Sequence, residues 1–241
     1  MAKAKVLNVI RDINPEGSDR SDTADSASRG PDIADAEAVP IKPAVSVLML
    51  RDGDEGLEVF VQHRVSTMDF AAGVVVFPGG RVDPIDSTIA PTITVSDPQV
   101  HTSAWSRSTI AEDAEGWRVL LATAVREVEE ETGAVLDPAG LKPWANWVTP
   151  LGRPKRFDTY FYTIAATELL AARHQTTEAH TSEWRSVTGI LADEGAGRLK
   201  LMRPTFVLLR ELAEFSTVAE AVTAERIIDP VRPEFPSNRG S

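Results

Sequence analysis

The segment at residues 117–132 constrains the fold more than any other part of the chain, because its pattern is that of a long amphipathic helix. Apolar residues recur at the i, i+3, i+4, i+7 spacing of one helical stripe: Trp117, Leu120, Leu121, Ala124, Val125 and Val128. Gly133 follows directly, at the position where a glycine commonly closes a helix. The sequence therefore predicts a helix that buries one face in the core.

Shorter runs on both sides of this helix have the composition of strands. Residues 44–50 and 57–64 flank a turn cluster and predict a β-hairpin. Further strands are predicted at residues 74–77, 144–148, 157–165 and 183–187, and later helices at 188–192, 204–215 and 218–227. Strands come first, a helix follows, and more strands and helices come last, which indicates a mixed α/β (α+β) fold rather than a regular βαβ alternation.

Composition divides the chain into three parts. Residues 1–40 are rich in Ser, Asp, Ala and Gly and predict a disordered acidic tail, residues 41–230 form the folded domain, and residues 231–241 form a flexible C-terminal tail. Within the domain, residues 84–116 are rich in Ser, Thr, Pro and Asp and predict a long loop or insertion. We expect this insertion to lie outside the central sheet with part of it packed on the domain, and a short linker in place of residues 88–110 to leave the fold intact.

The charge and cysteine content exclude several classes of function. The chain has 241 residues and a net charge of −11, a field that repels nucleic acid and anionic membranes. An anionic substrate would need a local screen such as a bound metal ion. Cysteine is absent, which excludes disulfides and cysteine nucleophiles, and no run approaches the ~18–20 apolar residues of a membrane span. We expect a cytoplasmic protein, with a homodimer as a possible assembly.

The predicted long helix also carries a second, acidic face. Glu127, Glu130 and Glu131 fall at i, i+3 and i+4 spacing, where like charges repel by a few tenths of a kcal/mol per pair. A hard divalent cation such as Mg²⁺ or Mn²⁺ would reverse this repulsion. The alternative is a solvated helix face, although acidic residues in the last turn also oppose the helix dipole.

A strand before the helix ends in the sequence Phe-Pro-Gly-Gly at residues 77–80. The glycine pair, Gly79 and Gly80, allows backbone amides to approach a ligand or a neighbouring helix closely. The alternative is an ordinary hairpin turn.

Gly80 together with residues 126–134, which read REVEEETGA, resembles the Nudix box, G-x5-E-x7-R-E-U-x-E-E-x-G-U with U aliphatic. The resemblance implies an α/β/α sandwich with a catalytic loop-helix-loop, and magnesium- or manganese-dependent hydrolysis of nucleoside diphosphates linked to another group. It implies that Glu127, Glu130 and Glu131 bind the metal and that Arg126 orients a box carboxylate. A rival interpretation is a Nudix-fold sensor or regulator that binds nucleotides without cleaving them.

The chain departs from the box in two ways. Gly80 and Arg126 are 46 positions apart, whereas the box has 14, and the first box glutamate is missing. Its candidate replacements are Asp83, Asp86, Glu112 and Glu115; counting forward from Gly80 gives Asp86.

An interrupted box also resembles the Nudix subfamily that includes peroxisomal coenzyme A diphosphatase. Arg64, Gly73 and residues 77–80 match the coenzyme A signature in register, whereas Val65 and Asp69 depart from it. The resemblance implies a coenzyme A derivative or acyl-CoA as one candidate substrate, with Arg64 as a substrate-binding residue.

Residues outside the box are candidates for the remaining roles. Nudix enzymes often recruit a later glutamate as the general base, and Glu178 in a polar stretch is the candidate here. Arg156, next to Arg153 and Lys155, is a candidate for binding a substrate phosphate. A solvated loop charge is the alternative for each of these residues.

Overall fold

The structure is a computed structural model that describes residues 39–64, 74–166 and 179–233. Almost all of the predicted N-terminal tail and most of the predicted C-terminal tail lie outside these ranges. The described chain is built around a seven-stranded mixed sheet. Its strands are β1 (Ile41–Gly53), β2 (Gly56–Arg64), β3 (Val75–Val76), β4 (Gly79–Arg81), β5 (Lys142–Val148), β6 (Arg156–Ala165) and β7 (Ala179–Ser186).

The predicted hairpin forms the middle of this sheet. β1 and β2 pair antiparallel up to Gly53 and Gly56, and β1 pairs in parallel with β6 on its other edge. The segment from β3 to β4 passes between the two hairpin strands, because β3 pairs with β2 while β4 pairs with β1. The sheet continues to β5 beyond β6 and to β7 beyond β2.

Helices cover both faces of the sheet. The α-helices are α1 (Pro84–Ile89), α2 (Gln99–Ala104), α3 (Gly116–Thr132), α4 (Val187–Gly195), α5 (Arg203–Leu212) and α6 (Val218–Val222). Short 3₁₀ turns lie at Ala90–Thr92, Thr109–Glu112 and Pro138–Gly140. None of the helices in the described ranges is both long enough and apolar enough to cross a bilayer.

Alternation along the strands creates two cores. Val47 and Phe60 pack with α3 residues such as Leu120 and Val128 in a first core. Leu48 and Val59 pack with α4, α5 and α6 in a second core on the opposite face. The predicted α/β/α sandwich with a mixed sheet is therefore confirmed.

The long helix α3 begins one residue before the predicted start, at Gly116, and ends at Thr132 as the sequence predicts. It ends before Gly133, which has a φ of 69° and donates its backbone N–H to the carbonyl of Glu129. The helix predicted at residues 218–227 is shorter and ends at Val222. Beyond it, Arg226 leaves the helical path to pair with Glu211, and Ile228 enters the first core.

The prediction of a loop at residues 84–116 is wrong, because this segment contains α1, α2 and two 3₁₀ turns. The backbone N–H of Asp83 donates to Asp86 Oδ2 at 2.8 Å, which closes the first turn of α1. Pro84 at the first helical position suits a helix start, since its missing N–H would have no partner there. The sequence Asp-Pro-x-Asp was therefore a helix signal.

The insertion packs closely on the first core, as expected for part of it. Trp105 is 1% exposed, and its Nε1 donates to the Tyr162 hydroxyl on β6 at 3.0 Å. Ile93 and Ala104 belong to the same core. Replacing residues 88–110 by a linker would remove these side chains from the core, so the expectation that the fold tolerates this change is revised.

Candidate active site

The acidic end of α3 lies directly on the two glycines of β4. A Cβ atom at Gly80 would lie 2.4 Å from the carboxylate of Glu127, so only glycine leaves room for this side chain. Gly79 has a φ of +146°, and a Cβ there would lie 2.1 Å from the carbonyl oxygen of Val45. The backbone N–H of Gly79 donates to Glu131 Oε2 at 3.0 Å. The turn therefore holds two of the three predicted metal ligands.

Arg126 links the carboxylates around this turn. Its Nε and Nη2 donate to the two oxygens of Asp86 at 2.7 and 2.9 Å, a bidentate pairing. Its Nη1 donates to Glu127 Oε1 at 2.9 Å and to Glu130 Oε2 at 3.2 Å. Nη2 also donates to the carbonyl oxygen of Arg81 at 3.1 Å. One guanidinium thus joins the insertion, β4 and the acidic face of α3.

Asp86 is the carboxylate that pairs with Arg126, and its side chain is fully buried. It also accepts hydrogen bonds from Thr123 Oγ1 and from the backbone N–H of Asp83, both at 2.8 Å. Burial alone would raise the pKa of Asp86, but the hydrogen bonds from Arg126, Asp83 and Thr123 lower it below its ordinary value. Asp86 therefore stays charged against the guanidinium.

The other candidates for the missing glutamate lie elsewhere. Asp83 contributes its backbone N–H, while its own carboxylate is half exposed and 3.9 Å from Arg81. Glu112 is exposed in a 3₁₀ turn, and Glu115 contacts Arg118 in the first turn of α3. The sequence left these four acids as alternatives, and the contact with Arg126 distinguishes Asp86.

The charges of the site have unequal surroundings. Burial is the largest influence on Glu127 and raises its pKa, although the neighbouring Arg126 opposes this shift. The side chain of Glu130, by contrast, is 61% exposed. The pKa of Arg126 is raised, first by its hydrogen bonds with Asp86. The site therefore combines a guanidinium that stays charged with the Glu127 carboxylate, whose ionised form is disfavoured by burial.

The predicted metal-ligand atoms near the turn are all carboxylate oxygens, which suit a hard divalent cation. Glu127 is held in the space beside Gly80, and Glu131 is held by Gly79. In the arrangement described, Arg126 draws Glu127 and Glu130 to itself, and no three acidic or histidine side chains of the described ranges are gathered closely enough to hold a metal ion. The ligand set Glu127, Glu130 and Glu131 fits a metal chemically and stays a prediction.

Of the other predicted residues, the structure describes only Arg156, and it does not lie at this turn. Arg156 lies at the start of β6, on the other side of β1 from Gly80, and its Nε donates to the carbonyl oxygen of Thr149 at 3.2 Å. Arg64 ends β2, and its side chain lies outside what the structure describes. Glu178 also lies outside the described residues.

The fold is that of the Nudix hydrolases. A Nudix hydrolase from Alicyclobacillus acidocaldarius superposes with a TM-score of 0.65 and 24% identity, over 79% of this chain and 99% of that one. The Nudix domain of NrtR from Shewanella oneidensis, in complex with ADP-ribose, gives a TM-score of 0.47 and 17% identity over 74% and 90%. No family model matches the sequence, and no curated protein matches it.

Proposed function

We propose that this protein hydrolyses the diphosphate linkage of a nucleoside diphosphate derivative with the help of a divalent metal ion. The observation that carries the proposal is the docking of Glu127 against Gly80 and of Glu131 against the Gly79 amide. Such docking aligns the acidic end of one helix with a turn that has no side chains to block it. The Nudix fold supports the same function.

In this proposal Glu127, Glu130 and Glu131 hold Mg²⁺ or Mn²⁺. A bound ion of this kind neutralises diphosphate charge and lowers the pKa of a coordinated water. The chain itself holds the side chains of the site in position. Asp86 fixes Arg126, and Arg126 in turn restrains the Glu127 carboxylate beside Gly80. Because Glu130 is largely exposed, its side chain can leave Arg126 at little cost.

Proton transfer and phosphate binding are assigned to further residues in addition to the three glutamates. Glu178 is the proposed general base that takes a proton from the attacking water. Arg64 and Arg156 are the proposed contacts for substrate phosphates, together with the backbone of Gly79 and Gly80. Coenzyme A and acyl-CoA are candidate substrates, on the strength of the partial match at residues 64–80.

A hydrolysis screen, in which the phosphate-ester products are separated by chromatography, tests the proposed function. The panel contains coenzyme A, an acyl-CoA, ADP-ribose, NADH, a dinucleoside polyphosphate and nucleoside triphosphates, each with Mg²⁺, with Mn²⁺ and with EDTA. We expect turnover of at least one compound, abolished by EDTA. Metal-dependent binding without any turnover would instead support a nucleotide sensor.

A further inference from the structure

The α3 side of the sheet continues past the acidic helix onto β2 and β7. Phe60 of β2 packs in the first core with Val47 and with Val128 of α3. Because side chains alternate along a strand, Gln62 faces this same side. α3 packs on β1 and β4, whereas α4 packs on β2 and β7 in the second core, on the opposite face.

Gln62 is an unusual residue for this position. It is only 3% exposed, and its amide Nε2 has no hydrogen-bond partner among the described residues. A buried amide donor without a partner costs about 1–3 kcal/mol in general, and native proteins tolerate few of them without a reason such as a ligand. Turning the amide towards a ligand would break no hydrogen bond between Nε2 and the part of the chain that the structure describes.

Flat groups lie on the same face of the sheet as Gln62, opposite Phe60 and Glu58 of the same strand. Trp184 of β7 pairs in register with Phe60, and the two rings meet edge to face with centroids 5.4 Å apart. Trp184 is half-buried, and the Arg51 guanidinium lies 4.6 Å from its ring centroid. Glu58 holds Arg51 in place at 2.6 Å. Aromatic rings and guanidinium planes are surfaces on which nucleobases stack.

The distance from Gln62 to the acidic turn suits a nucleoside. Gln62 pairs in register with Val76, and Val76 precedes Gly79 by three residues. One strand spacing and three extended residues limit the Cα separation of Gln62 and Gly79 to about 16 Å. A nucleotide with its diphosphate at Gly79 and Glu131 can therefore extend its base towards Gln62.

We propose that Gln62 is a specificity-determining residue that recognises an adenine base stacked near Trp184. This inference rests on the proposed function, since it assumes a diphosphate beside Gly79. A glutamine amide both donates and accepts, and so matches the adjacent acceptor and donor of adenine N7 and N6. Guanine presents two acceptors there and leaves the amide oxygen unmatched.

Calorimetric binding tests this assignment with probes that resist hydrolysis. The full chain, with Mg²⁺ present, is titrated with the α,β-methylene analogues of ADP and GDP and with methylenediphosphonate, which has no base. We expect the parent to prefer the adenosine analogue. Gln62→Leu should weaken that binding about tenfold, leave methylenediphosphonate unchanged and not lower the melting temperature.

Thr163→Val is the matched control. Thr163 is also fully buried, and its hydroxyl oxygen has no partner within residues 39–64, 74–166 and 179–233. It follows Phe161 by two residues on β6 and so faces the second core. This variant should bind all three probes like the parent. Unchanged adenosine binding in Gln62→Leu, an equal loss for the base-free probe, or no adenosine preference in the parent would each overturn the assignment. If the parent binds none of the probes, the proposed function fails as well.

Discussion

Asp86 accepts hydrogen bonds from three different residues around the candidate site. It accepts from Arg126, from Thr123 and from the backbone of Asp83, and it is completely buried. The charge of Arg126 depends on this partner, because Arg126 itself is only 14% exposed. A single side chain from the insertion thus sets the position of the guanidinium that contacts Glu127.

Removing the charge of Asp86 should therefore destabilise the protein. We expect Asp86→Asn to lower the free energy of unfolding by about 2–3 kcal/mol, because it leaves a mostly buried guanidinium without its bidentate partner. Urea unfolding measures this change. Asp229→Asn breaks the exposed pair with Arg107 (2.8 Å) and should cost less than about 1 kcal/mol. Equal effects of the two variants would contradict the role of Asp86.

His101 makes stability depend on pH. It is buried in α2 and stacks on Trp117 with centroids 5.2 Å apart. Burial, reinforced by Lys142, lowers the pKa of His101 from 6.5 to about 4. The unfolded chain therefore binds a proton at higher pH than the folded one, and the stability present above pH 6.5 is lost as pH falls through 4.

His101→Phe should remove this dependence and keep the stacking on Trp117. We expect the free energy of unfolding of the variant, relative to the parent, to improve by about 1–3 kcal/mol between pH 7 and pH 4. Urea unfolding at a series of pH values measures the difference. Parallel pH profiles for the two proteins would show that His101 does not titrate in this window.

At the scale of elements, the turn at β4 and the end of α3 act as one unit. The atoms nearest to a Cβ at Gly79 belong to the backbone of β1, whereas those nearest to a Cβ at Gly80 belong to the carboxylate of Glu127. Substitutions at the two glycines should therefore have different effects. A substitution at the first affects the sheet, and a substitution at the second affects the acidic side chain.

Alanine at each glycine separates these roles. We expect Gly79→Ala to lower the melting temperature markedly, since its Cβ meets the Val45 carbonyl. Gly80→Ala should fold near normally but lose most Mg²⁺-dependent stabilisation, since its Cβ displaces Glu127. Gly195→Ala, at the end of α4 with no atom within 4 Å of the added Cβ, is the control. Thermal melts with and without Mg²⁺ distinguish the variants, and an unchanged Mg²⁺ response in Gly80→Ala would contradict the prediction.

The sequence predicted those elements whose pattern is local and long. α3 has about three turns of apolar periodicity and a closing glycine, and the β1–β2 hairpin has alternating runs around a turn cluster. The helices of the insertion were missed because six residues give too little periodicity, and such short helices are stabilised by packing. The pairing of Asp86 with Arg126 joins residues 40 positions apart, so spacing alone left four candidates.

At the scale of the whole molecule, the insertion and the C-terminal segment close around the first core. Ile228 donates its backbone N–H to the carbonyl of Ala104 at 3.0 Å. Val231 pairs with the edge strand β5 through the backbone of Asn146 and Val148. On the other face, Arg226 pairs with Glu211 of α5 at 3.2 Å. The C-terminal segment therefore ties both helical layers to one sheet edge and supports the insertion that carries Asp86.

The acidic end of α3 is the feature on which the proposed function depends, and Glu131 and Glu129 offer a direct comparison there. The Glu131 carboxylate accepts a hydrogen bond from the Gly79 amide, whereas the Glu129 side chain is exposed on the same turn of the helix. The measurement is kcat with saturating Mg²⁺ on a substrate from the hydrolysis screen. We expect Glu131→Gln to fold and to lower kcat at least about 100-fold, and Glu129→Gln to turn over like the parent. Equal turnover of the two variants would contradict a metal-dependent active site at this end of α3.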